Sequence, residues 1–334
     1  MVEEYGLDDY RCQPVRAHRL RCPDGISDSL TEGLLMNRSV GLIGLGRMGQ
    51  AICQRLLANQ VPVHIHNRTK EKSVDLIRQG AIWATDMVAL VREVRLLFIC
   101  TSGSEAVQDV YYARDLGLLS CLRAGSVVVD IGTLAPEAAK ALHAAFIEQG
   151  ADYIECPVSG GVEGALAGTL SAIVSGRAEA YELVQPLLKV FCATVSYVTE
   201  PGKAQRLKIL NNLAESINLA GAIEVISQGL AQGLDLKSMA EVFTSCRGRS
   251  AYMDVALGYA LSGGATSNVS LAVRCKDLDL AQERLPSGQE YPFSNLAMTT
   301  FHKVKQVCGE QGDQCQYFSF YPTTKQGGRH EYSQ

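Results

Sequence analysis

A short apolar stretch, Val40-Gly41-Leu42-Ile43, runs directly into Gly44-Leu45-Gly46-Arg47-Met48-Gly49, and Gln50-Ala51-Ile52-Cys53-Gln54-Arg55-Leu56-Leu57 continues with the opening pattern of a helix. Glycines in a G-x-G-x-x-G spacing at a strand-to-helix turn have a physical reading. Without β-carbons, the backbone N–H groups can approach a pyrophosphate at the positive end of the helix. A second strand-like run, Val61-Pro62-Val63-His64-Ile65-His66, ends where a ribose-reading residue belongs. An NAD site usually places Asp or Glu there, accepting from both ribose hydroxyls and repelling a 2′-phosphate. This chain has Asn67, followed by Arg68, Thr69 and Lys70. The amide removes the repulsion, and a guanidinium offers a planar donor fork suited to phosphate oxygens. The expected cofactor is therefore NADP(H), with NAD(H) possible; the plainer reading of Arg68 is a solvated turn arginine.

The length of 334 residues predicts two domains, and a hydrophobic content of 47% allows each a core. A net charge of −4 without a basic stripe or tail gives no reason to expect a nucleic-acid partner. The longest apolar runs are strand-sized and broken by glycine, short of the roughly 20 residues that span a bilayer, so no membrane partner is expected. Eleven cysteines without a C-x-x-C, several in or beside strand-like runs as Cys100 is after Leu96-Leu97-Phe98-Ile99, fit reduced packing thiols in the cytoplasm. His64 and His66 share a strand face but lack a third ligand nearby, so no metal is expected.

Residues 1–37 lack periodicity and mix acidic Glu3, Glu4, Asp8 and Asp9 with arginine, cysteine and proline. They match neither a transit peptide nor a signal peptide and are expected to be an unstructured or dispensable extension, with Met36 as the functional start. From residue 38 to about 200, β-rich segments recur at residues 96–100, 127–131, 153–155, 170–174 and 195–198, separated by helical stretches. The alternation predicts an α/β domain with a doubly wound, mainly parallel sheet of the Rossmann type. Ligands of such sheets bind beyond the carboxyl ends of the strands, so Thr101-Ser102 and Gly132-Thr133 are expected either to face the cofactor or to be ordinary turns. Beyond Glu200-Pro201-Gly202 the strand signal stops. Apolar residues then recur at helical spacing from about residue 203 to 232, a helix about 45 Å long, too long for one small lobe. Residues 201–325 are expected to be an all-helical domain joined through this helix, and residues 326–334 a polar tail.

Two further segments carry chemistry. In Cys156-Pro157-Val158-Ser159-Gly160-Gly161 a hydroxyl sits beside consecutive glycines, which either form a concave anion site for a substrate carboxylate or only relax the backbone of a tight connection. In Gly202-Lys203-Ala204-Gln205-Arg206-Leu207-Lys208-Ile209-Leu210-Asn211-Asn212, Lys208 and Asn212 lie one turn apart on one helix face. Lys208 is there either a snorkelling surface lysine or a group placed for proton transfer.

Together with Asp130-Ile131-Gly132-Thr133 and Lys276-Asp277-Leu278-Asp279, these motifs, in order over about residues 39–318, resemble the β-hydroxyacid dehydrogenase family, which includes 3-hydroxyisobutyrate dehydrogenase and tartronate semialdehyde reductase. The resemblance implies a Rossmann domain, a long helix and an all-helical domain in a homodimer or homotetramer. It implies Lys208 as the catalytic general acid/base, Asn212 as a substrate-binding amide, Ser159, Gly160 and Gly161 as the carboxylate-binding turn, Thr133 as a cofactor contact, and Lys276 as a lysine beside cofactor and substrate. The implied reaction moves a hydride between C4 of the nicotinamide and a small carboxylate-bearing hydroxyacid or its semialdehyde. The chain departs from the family pattern before Lys276, where a common aromatic is absent and Arg274 stands close to the expected pocket. That arginine is either a holder of a second substrate anion or a salt-bridged helix residue. Two other functions fit the same fold: an imine reductase, which generally carries Asp or Tyr at the position of Lys208, and a non-catalytic NADP-binding scaffold.

Overall fold

The computed structural model describes residues 39–101, 103, 107–113, 117–265 and 269–321. The expectations for residues 1–37, Ser102 and residues 326–334 lie outside this set. The N-terminal half is built on β1 (Val40–Ile43), β2 (Val63–His66), β3 (Ile82–Trp83), β4 (Leu96–Ile99), β5 (Val127–Asp130) and β6 (Asp152–Glu155). All pairs are parallel and the order is β3-β2-β1-β4-β5-β6, so the chain starts in the middle and winds outward both ways. β1 and β5 are buried along their whole length, as central strands covered on both faces must be. That is why they read as continuous apolar runs.

The crossover helices are α1 (Arg47–Ala58), α2 (Val74–Arg78), α3 (Met87–Glu93), α4 (Leu118–Cys121) and α5 (Pro136–Glu148). α1 begins at Arg47 immediately after the glycine turn and buries Ile52, Cys53 and Leu56 against the sheet. α5 starts with Pro136 at a position whose N–H has no helical partner, which suits a residue without one.

The segments at 170–174 and 195–198 do not extend this sheet as the alternation predicts. β7 (Val158–Ser159), β8 (Leu170–Val174) and β9 (Cys192–Tyr197) form a separate three-stranded sheet, with β7 antiparallel and β9 parallel to β8. The physical reason is visible in β8, whose Ser171 is exposed between buried Leu170 and Ala172. Such alternation marks a strand covered on one face, unlike β1 or β5. The intervening helices α6 (Gly161–Ala167) and α7 (Ala178–Phe191) pack on α1 and close the first half.

The long helix forms as expected: α8 (Lys203–Ala231) is 29 residues, about 44 Å. Around it pack α9 (Leu236–Ser245), α10 (Ala251–Leu261), α11 (Leu271–Gln282) and α12 (Pro292–Cys308), followed by a 3-10 segment over Gln314–Phe320. Leu219, Ile223 and Ile226 of α8 share a core with Leu271 of α11 and Phe301 of α12. The first two turns of α8 instead rest against the Rossmann half, and the functional cavity lies there.

Candidate active site

The three fingerprint glycines serve three separate needs. Gly44 has φ +96°, and a β-carbon on it would fall 2.7 Å from the Cys100 carbonyl oxygen. A β-carbon on Gly49 would lie 1.9 Å from the Gly44 carbonyl oxygen, so α1 can start this close to β1 only with glycine. A β-carbon on Gly46 would meet nothing within 4 Å, and Gly46 lines the cavity. The bare backbone at the start of α1 therefore opens on empty space, the shape and polarity a pyrophosphate needs. The loop is held from β2: Leu45 N donates to Asn67 Oδ1 (2.9 Å), and Asn67 Nδ2 donates to the Thr69 carbonyl (2.8 Å). Arg68, with its side chain 86% exposed, pairs with Asp109 at 3.4 Å.

The facing loop after β5 is held by buried polar groups. Asp130 accepts from Tyr111 (2.6 Å), Tyr153 (2.9 Å) and the Gly132 N–H (2.7 Å). Burial raises the Asp130 carboxyl above its ordinary range even against these three donors. From α8, Gln205 accepts from Leu134 N and donates to the Gly132 carbonyl, both at 3.0 Å. Glu155, fully buried at the end of β6, accepts from Gly202 N (2.6 Å) and Gln205 N (3.3 Å) and bonds His143 Nε2 (3.0 Å). A carboxylate at these unpaired N–H groups caps α8 and complements the positive end of its dipole.

Between the two loops and the helical half lies a cavity of about 440 Å³. Lys208, Asn212 and Glu215 face it from α8 at i, i+4 and i+7, the spacing of one helix face. Lys208 is 6% exposed. Burial lowers its proton affinity below that of an ordinary lysine; Glu215 and Asp277 pull the other way, and Arg274 and Lys276 push down with burial. Asn212 Nδ2 donates to Asp277 Oδ2 (2.7 Å), while Lys276 Nζ reaches Asp277 Oδ1 and the Thr133 carbonyl, both at 2.9 Å. Lys276 thus ties the helical half to the cofactor-side loop.

Of the two readings of Arg274, the structure supports the salt-bridged one. It is 2% exposed and gives its N–H groups to Gln314 Oε1, the Asn212 carbonyl, Ser216 Oγ, Tyr252 OH and, at 3.4 Å, Glu215. With every donor engaged inside the protein, it has none to offer a second substrate anion.

The cavity brings together Gly46, Arg47, Met48, Thr101, Thr133, Ser159, Gly160, Gly161, Lys208, Asn212 and Lys276. Gly44, Leu45 and Gly49 form the turn behind it, and Asn67, Arg68 and Thr69 stand at the end of β2 rather than in its wall. Gly160 and Gly161 have φ of +126° and +70°, so the tight connection itself requires glycine. The residues missed from sequence are Glu215 and Tyr252; continuing the 208, 212 face by three more residues reaches Glu215. Among the described residues, no cluster of side chains suited to a metal occurs, and no helix is long and apolar enough to cross a membrane.

Residues 39–199 match the NAD-binding domain family of 6-phosphogluconate dehydrogenase, and residues 202–321 match the NAD-binding family of NADP-dependent 3-hydroxyisobutyrate dehydrogenase. The chain is 30% identical over 262 residues to 2-(hydroxymethyl)glutarate dehydrogenase of Eubacterium barkeri, covering 78% of this chain and 86% of the relative. It is 31% identical over 279 residues to 3-hydroxyisobutyrate dehydrogenase of Pseudomonas aeruginosa, covering 81% and 93%. Among solved structures it is similar to Psf3 in complex with NADP+ and 2-OPP, with 78% identity, a TM-score of 0.83, and 84% of this chain and 99% of that chain covered. A strand-to-helix dinucleotide cradle, a lysine buried at its rim and relatives that share both halves lead to one conclusion: the chain is a member of the β-hydroxyacid dehydrogenase family, an NAD(P)-dependent oxidoreductase acting on a CH–OH group.

Proposed function

We propose that the chain is an NADP(H)-dependent dehydrogenase that interconverts a small carboxylate-bearing β-hydroxyacid and its semialdehyde, with Lys208 as general acid/base. The observation that carries this reading is the burial of Lys208 in the wall of the cavity that the nucleotide loop opens onto. Residues 44–49 and Thr133 would hold a nicotinamide dinucleotide, which when bound would supply or accept the hydride. In reduction, the Lys208 ammonium donates a proton to the carbonyl oxygen as negative charge develops there; in oxidation, neutral Lys208 takes the hydroxyl proton. Burial lowers its proton affinity and so brings the neutral form closer to working pH. The 2′-phosphate preference rests on Asn67 in place of a carboxylate, on the exposed Arg68, and on the NADP+ bound to Psf3.

The 78% identity to Psf3 favours a second reading of the substrate, that the same cavity takes 2-OPP. Both are tested by following NADPH oxidation with small semialdehydes, each with and without a carboxylate, with 2-OPP, and with a cyclic imine. Lys208→Met should lower kcat by about 10²- to 10⁴-fold while leaving NADPH affinity within about twofold. Unchanged turnover in that variant refutes the role of Lys208. Turnover on the imine alone refutes the dehydrogenase reading, and NADPH binding without any turnover points to a scaffold.

A further inference from the structure

Glu215 belongs to none of the motifs that mark this site, yet it makes more bonds than any other carboxylate lining the cavity. Its Oε1 accepts from Ser159 Oγ (3.1 Å) and Asn211 Nδ2 (2.6 Å); its Oε2 accepts from Tyr252 OH (2.7 Å) and lies 3.4 Å from Arg274 Nη1. A carboxylate has about four acceptor sites, and here all four are taken. It therefore has no capacity left for a substrate donor. Its partners come from four elements: the β7 turn, α8, α10 and α11.

The charges around Lys208 balance. Glu215 on α8 and Asp277 on α11 face it as anions, and Arg274 and Lys276 on α11 face it as cations. Asp277 is paired with Lys276 at 2.9 Å and Glu215 with Arg274 at 3.4 Å. Tyr252, the other titratable group at this end, has its phenol pushed up to about 12 by burial and stays neutral. Glu215 itself is ionised: burial opposes its charge, but Lys208, Tyr252, Arg274 and Ser159 outweigh burial and hold the carboxyl below its ordinary range. Replacing Glu215 by a neutral group leaves two cations against one anion.

We propose that Glu215 is a positioning residue for the acid–base step, a saturated carboxylate that joins the Ser159 turn to Tyr252 and Arg274 and supplies the fixed charge against which Lys208 holds its proton. The proposal rests on the reading of Lys208 as the acid/base. In the reductive direction, the donor must still be an ammonium at working pH although it is buried. Glu215 offsets the cost of that burial without contacting substrate.

The test reads Lys208 directly, independently of turnover. The full chain is labelled with limiting acetic anhydride from about pH 6 to 11, and the Lys208 peptide is quantified by mass spectrometry, since only the neutral amine reacts. Glu215→Gln should lower the pH midpoint of Lys208 labelling by about one unit, the low end of what one neighbouring charge does. Ser159→Ala and Tyr252→Phe remove bonds but keep the charge, so each should move the midpoint by less than about half as much. A midpoint unchanged in Glu215→Gln, or moved equally by the two charge-preserving variants, overturns the proposal. If Glu215→Gln does not fold, Glu215→Asp replaces it: the charge is kept, so the midpoint should stay in place, and a full-unit fall overturns the proposal. Failure of the Lys208 reading shows elsewhere, as undiminished turnover in Lys208→Met, so the two ideas fail separately.

Discussion

Gln205 stands one turn before Lys208 and reaches across to the loop that carries Thr133. Replacing it with Met keeps the volume and the apolar stem but removes two hydrogen bonds, from Leu134 N and to the Gly132 carbonyl, both at 3.0 Å and buried. Each buried group left without a partner costs about 1–3 kcal/mol, so the pair is worth about 2–6 kcal/mol. Local relaxation and water entry favour the lower half, about 2–4 kcal/mol. At about 2–4 °C per kcal/mol for a domain the size of the Rossmann half, the Tm should fall by about 4–16 °C. The same loss frees the loop to shift relative to Lys208, and a displacement of about 1 Å at a reacting centre costs on the order of 10² in rate. Thermal unfolding of the variant with and without NADPH, alongside kcat at saturating cofactor, provides the measurement. A Tm within about 3 °C of wild type together with an unchanged kcat refutes the idea that Gln205 couples the loop to the Lys208 face of α8.

The two glycines flanking Arg47-Met48 should respond in opposite ways. Gly46→Ala meets open space and should fold normally while weakening NADPH binding at least tenfold, on the order of 1.4 kcal/mol, by isothermal titration. Gly49→Ala drives a β-carbon into the Gly44 carbonyl and should lower Tm or abolish soluble expression; a variant as stable as wild type would mean that α1 can retreat from β1. Asn67→Asp keeps an acceptor for Leu45 N–H but sets a carboxylate where a 2′-phosphate would lie. The ratio of kcat/KM for NADPH over NADH should fall about tenfold, and an unaltered ratio removes Asn67 from cofactor selection.

The parallel character of the main sheet, the cradle and the long helix were readable because each leaves a local pattern: fully buried strands as continuous apolar runs, glycines at fixed offsets, a proline-free helical period. The second sheet was not readable as separate. Period-two patterning in Leu170-Ser171-Ala172 says how many faces are covered, not which strand lies beside it. Lys208 and Asn212 were readable as a pair one turn apart, whereas the role of Glu215 depends on Ser159, Tyr252 and Arg274, which lie 56, 37 and 59 residues away. Arg274 shows the same limit. Whether an arginine faces a ligand or is spent inside the protein depends on acceptors such as Gln314, 40 residues distant, that no local spacing reveals.

α8 is continuous through the site, and its bonding partners appear in sequence order. Glu155 caps it at Gly202, Gln205 grips the cofactor-side loop, Lys208 follows one turn later, and Glu215 and the helical core come after. The helix thus acts as a ruler, graduated at about 1.5 Å and 100° per residue. Insertion or deletion of a single residue between 205 and 208 would swing Lys208 out of the cavity, so the spacing of Gln205 and Lys208 matters as much as their identity. It also restricts how the cleft can breathe. Gripped at its first turn, α8 should keep Gln205 and Lys208 in register, so opening of the cleft is expected to part the contacts made across it: Ser159 with Glu215, Lys276 with the Thr133 carbonyl and, just past α11, Arg284 with Glu137. The protein would then open like a book whose spine is α8, with the distance from Lys208 to the Thr133 loop kept at the binding edge while the pages move.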